Sequence, residues 1–156
     1  MLTSDIEHPV FEGLTIERSR SLLRGAQRAI DIIRARTRAG RASNGSPLPP
    51  PKSGGRPFAR TGGTLDALRV LSVRGGEATI GVDGAHWLAL NAYQSGAVGG
   101  GKAGTRAPVN IMDLSDAEAS EVAAAMVGDV DQQVVDAEAQ GSVFAYRTET
   151  VQGGRR

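Results

Sequence analysis

Gly96-Ala97-Val98-Gly99-Gly100-Gly101-Lys102-Ala103 comes nearest to a chemical motif, approaching the glycine-rich loop that cradles nucleotide phosphates. In that loop backbone N–H groups hold the phosphates, the lysine reaches their outer oxygens, and a following Ser or Thr holds magnesium. Position 103 is Ala, a polar helical segment precedes the loop, and Pro108 interrupts the segment after it. The strand before it and helix N-terminus after it, which such a site uses, are therefore not expected. His8 and His86 are the only histidines, and neither stands at a ligand spacing or beside a placed nucleophile or carboxylate. Asp129 and Asp131 have no second cluster to complete a metal site and read as a solvated face. No catalytic, metal or cofactor set emerges.

Arginine is the other conspicuous type. Arg18, Arg20, Arg24, Arg28, Arg34, Arg36 and Arg38 fall in one early stretch. Residues 1–62 hold 11 Lys and Arg against 5 Asp and Glu, a net +6; residues 111–156 hold 3 against 9, a net −6. A basic front and an acidic back suit head-to-tail contact between copies; the alternative is solvated helix faces. The same arginines could meet nucleic-acid phosphate.

Periodicity gives the elements that position these residues. Thr15 is expected to cap a helix over 16–38, with Ile16, Leu23, Ala26, Ile30 and Ile33 on one stripe widened by Leu22 and Ala29. Gly25 costs such a helix up to about 1 kcal/mol, which close packing at that point would explain. Residues 39–59, rich in Gly, Ser and Pro, are expected to be a linker or reaching arm. Arg69–Val73 and Glu77–Val82 should form a hairpin turning at Gly75-Gly76, with Asp83-Gly84 ending it. A short helix over 85–95 carries Trp87, Leu90 and Tyr93, and Gly96 stops it. In a chain with one Trp and 4% aromatics, core is the commoner use of Trp87, although Trp and Tyr also favour interfaces.

Residues 106–112 are a strand candidate with Pro108 at an edge or its first position. Ser115-Asp116-Ala117-Glu118 spells a capping box opening a helix, which Gly128 is expected to kink or end and Asp129 to restart. Val143 to Val151 suggests a last strand, while the residues before Thr15 look irregular. The expected fold is α+β: a long N-terminal helix and a C-terminal helix packed on a small, mostly antiparallel sheet, with long Gly/Pro-rich loops. At 156 residues the chain is read as one domain with a modest aliphatic core, residues 60–127 forming its centre and 128–156 a C-terminal extension. With no cysteine, no apolar run near the roughly 20 residues that span a bilayer, and no signal-like start, a reducing, soluble setting is expected.

In order and spacing this segment resembles the phage virion morphogenesis proteins, the small tail-completion or neck family. Thr61-Gly62-Gly63-Thr64-Leu65 matches that family's Thr-Gly-x-Leu segment with one extra residue. Ala92-Tyr93-Gln94-Ser95-Gly96 matches its helix end, with Tyr93 where His is usual. Thr105 to Asp116 loosely matches its Arg-Pro strand into a helix: Ala107 separates Arg106 from Pro108, and Leu114-Ser115 opens the helix. The resemblance covers residues from about Ile16 to Val127.

The resemblance implies a structural protein of a tailed-phage virion, assembled in the bacterial host cytoplasm, and not an enzyme. It would form a six-fold or twelve-fold ring at the head–tail junction, meeting head-closure and tail-terminator or tail-tube proteins and leaving a passage for DNA. Arg20, Arg24, Arg28, Trp87, Tyr93, Lys102 and Arg106 are the candidate interface residues, with no cofactor and no membrane involved. The runner-up is a nucleic-acid-binding module built on the arginine helix.

Overall fold

The computed structural model describes residues 3–11, 15–48, 62–94, 110–140 and 144–152. The fold is α+β: β1 Thr3–Phe11, α1 Arg18–Arg38, α2 Gly62–Asp66, β2 Arg69–Arg74, β3 Glu77–Gly81, α3 Ala85–Gln94, α4 Asp116–Ala139 and β4 Phe144–Gln152. The chain forms two compact units, one of Met1–Glu17 with Gly128–Arg156 and one of Arg18–Val127.

In the larger unit α1 packs on the β2–β3 hairpin. The buried row along α1 is Ser21, Gly25, Ala29, Ile33 and Thr37, four residues apart, flanked by Ala26 and Ile30. The inner face is thus displaced from the expected stripe: Leu23 is 48% exposed, and small residues take its place. The helix starts at Arg18 rather than Ile16. Its end is a Schellman closure on Gly40, at φ 75°. Gly40 N–H donates to the Thr37 carbonyl at 2.9 Å and Arg41 N–H to that of Arg36 at 3.1 Å.

Residues 39–48 do more than link. The chain folds back so that Leu48 N–H donates to the Gly40 carbonyl at 2.7 Å, and Ala42 and Leu48 enter the core. Residues 49–59 of the expected linker lie outside the described residues. Leu65 sits on the short helix α2 and Leu68 just after it, both buried. Ile30 and Ile33 from α1, Val82 after β3, Leu90 from α3 and Ile111 complete the core cluster. Among the described residues every buried hydrophobic is aliphatic.

The hairpin forms as expected. Gly75 and Gly76 both have positive φ, 61° and 85°, the pair of left-handed residues that a twisted two-residue turn requires. The register shifts between Val70 and Ser72, leaving Leu71 as a bulge residue 47% exposed. Asn110 to Met112 is not strand. Asn110 Oδ1 accepts from the N–H groups of Met112 and Asp113, both at 3.1 Å, and this side-chain turn displaces the ladder.

The smaller unit holds an antiparallel ribbon of β1 and β4, in register from Thr3 opposite Gln152 to Phe11 opposite Phe144. β4 lies at the expected place, but β1 replaces the irregular start, and His8 is a strand residue opposite Arg147. Gly128 neither ends nor restarts α4. In this unit Gln133 accepts from Glu17 N–H at 2.6 Å, donates to the Glu17 carbonyl at 3.3 Å, and donates to Asp129 at 2.8 Å. Asp129 and Gln133 are both buried.

Candidate functional site

The charged residues of α1 carry most of the sequence's suggestion of a binding face, and several are already engaged within the chain. Arg28 Nη2 lies 2.6 Å from Glu121 Oε2 in an exposed pair. Arg36 Nη1 lies 2.6 Å from Glu118 Oε2 in a pair that is largely covered. Arg36 Nη2 also donates to the carbonyls of Ile111 and Asp113, the latter at 2.9 Å. Arg34 donates to the carbonyls of Leu65, Asp66 and Leu68 at 2.9, 3.0 and 2.8 Å, tying α1 to the end of α2 and the residues after it. Arg38 pairs with Asp66 and Arg69 with Asp83.

Glu118 joins this network through the capping box. Ser115 N–H donates to Glu118 Oε2 at 2.8 Å, and Glu118 N–H donates back to Ser115 Oγ at 3.4 Å, as the Ser-x-x-Glu spacing predicts. Burial acts to raise the Glu118 pKa, but the Ser115 N–H and the Arg36 charge outweigh it and hold the carboxyl below its ordinary value. The same part of the chain explains Gly25: a Cβ there would stand 2.6 Å from Met126 Cγ, so the Met126 side chain occupies the space a larger residue would need.

Trp87 is not the core residue its type suggests. It is 53% exposed, and its neighbour Leu88 is 69% exposed. Leu90 is core, at 2%. His86, half-buried on the same helix, has its Nδ1 3.3 Å from Thr64 Oγ1. Arg28 also departs from expectation, because its acidic partner belongs to its own chain. Arg20 and Arg24 sit on α1 at the expected four-residue spacing and also make interactions. Tyr93 falls on α3, one residue before its end; the side chain of Tyr93, and all of Lys102 and Arg106, lie outside the described residues.

Leu88 is a surface residue that sequence reasoning missed. Among the described residues no group of three His, Asp or Glu is placed to hold a metal ion, and no helix is long and apolar enough to cross a membrane. Comparison with protein-family models, curated proteins and solved structures found no match.

Proposed function

We propose that this chain is a structural subunit of a tailed-phage virion, forming a ring at the head–tail junction that joins tail to head around a passage for DNA. The observation that carries the reading is the exposure of adjacent Trp87 and Leu88. They stand on α3, inside the segment with the family resemblance. Exposed aromatic and aliphatic side chains side by side are characteristic of the centre of a protein contact.

Two further features support it. The order long helix, hairpin, short helix, capped helix fits the resemblance, although Gly62–Asp66 is helical and no strand forms at Asn110 to Met112. Contact between subunits would bury the exposed apolar surface that Trp87 and Leu88 provide. Function in such a ring is assembly: each subunit presents two different patches whose contact repeats by rotation until it closes. Trp87 and Leu88 form one of those patches.

The nucleic-acid reading has less support, because Arg28, Arg34, Arg36 and Arg38 are spent on carboxylates and carbonyls of the same chain. Size-exclusion chromatography with light scattering, followed by negative-stain imaging alone and with isolated tails, tests the proposal. Rings, or decoration of tail ends, are expected. A protein that stays monomeric beside isolated tails overturns it.

A further inference from the structure

The β1–β4 ribbon has two outer edges, and among the described residues neither carries a further strand. An edge strand presents a row of N–H and C=O groups to anything that can pair with them. The two edges are not equivalent. β1 contains Pro9, which has no N–H to offer and is a common device for blocking an edge. β4, Phe144-Ala145-Tyr146-Arg147-Thr148-Glu149-Thr150-Val151-Gln152, has no Pro, Gly or Lys and is rich in strand-favouring types.

We propose that β4 is a self-recognition strand, pairing antiparallel with β4 of a second copy about a two-fold axis to give a four-stranded sheet ordered β1-β4-β4-β1. The residues select the register. With the axis on Thr148, all nine residues of each strand overlap. That register sets Arg147 opposite Glu149 of the second copy and, by symmetry, Glu149 opposite its Arg147. It also sets Tyr146 opposite Thr150, and Ala145 opposite Val151.

Moving the axis one residue either way sets Arg147 opposite Arg147 or Glu149 opposite Glu149, and like charges directly opposite are unfavourable. Full overlap and charge complementarity thus select the same alignment. Within one chain Arg147 stands opposite His8 and Glu149 opposite Ile6, so the ribbon's own register sets neither charge opposite a carboxylate or an arginine. This contact is isologous and closes after two copies, so it stands whether or not a separate contact closes rings.

Native mass spectrometry and light scattering of the full chain test it, with circular dichroism as the folding control. The wild type is expected to contain an even number of copies. Arg147→Glu and Glu149→Arg should each halve the mass, because each sets like charges opposite one another twice. The double variant Arg147→Glu/Glu149→Arg should restore it, because the charge pair is only exchanged. A wild type that is monomeric up to its solubility limit, single reversals that leave the mass unchanged, or a double variant that stays at half mass would each overturn the proposal.

Discussion

Arg36 Nη1 stands 2.6 Å from Glu118 Oε2, and these two residues, 82 apart in sequence, fasten the last turn of α1 to the first turn of α4. Glu118 serves both its own helix cap and this pair. Glu118→Gln keeps an acceptor for the Ser115 N–H but removes the charge facing Arg36, and is therefore expected to cost about 1–2 kcal/mol at neutral pH. Because the folded-state pKa lies below its ordinary value, the stabilisation is complete above the unfolded pKa of about 4.3. It is lost as pH falls through the lower folded value. Urea unfolding of wild type and variant should therefore converge in acid; a gap that stays constant there separates Glu118 ionisation from stability.

Gly25→Ala should destabilise the protein despite improving helix propensity. The gain of up to about 1 kcal/mol from replacing glycine is opposed by overpacking of about 1–3 kcal/mol, since the new Cβ meets Met126 Cγ at 2.6 Å. A double-mutant cycle with Met126→Ala should show positive coupling, the small residue at 126 relieving the clash. Additive losses would place the strain elsewhere.

Arg34 is the hub of α2. Replacing it with Met leaves the carbonyls of Leu65, Asp66 and Leu68 without this donor and should cost about 2–3 kcal/mol. Arg34→Lys should recover only part, because an ammonium lacks the planar fork. Equal stability of the Lys variant and wild type in thermal unfolding would show that the charge alone suffices.

Trp87→Ala should cost about 0.5 kcal/mol or less in the isolated protein, the scale of a surface change, because the side chain is 53% exposed. Tryptophan emission should lie close to that of the free amino acid in water and shift to shorter wavelength on assembly. A loss of about 3–5 kcal/mol, the range for a deleted core aromatic, would return Trp87 to the interior.

What the sequence conveyed well was local. Glycine pairs and Ser-x-x-Glu act within a few residues, so the hairpin turn at Gly75-Gly76 and the cap at Ser115 were legible. What it conveyed poorly was decided at a distance. Trp87 is a strong core former by type, yet which face of α3 turns inward is settled by Leu90 meeting residues from α1 and α2. Leu23 matched an apolar stripe, but α4's approach at Gly25 rewarded the row of small residues beside it. β1 was invisible for a related reason: Asp5, Glu7 and Pro9 suppress the strand signal, and its partner lies at the other end of the chain. The arginine row was legible as a basic face, but its partners were not: Arg28 and Arg36 reach carboxylates 93 and 82 residues on, a distance no local pattern reports.

The pairing of Thr3 with Gln152 has a consequence for how the protein is made. During synthesis β1 leaves the ribosome well before β4 and stays unmatched until β4 has been made. The larger unit, complete by Val127, can condense well before that moment. Closing so long a loop is entropically slow, so the ribbon forms after the larger unit during synthesis, and truncation anywhere in β4 leaves β1 without its mate.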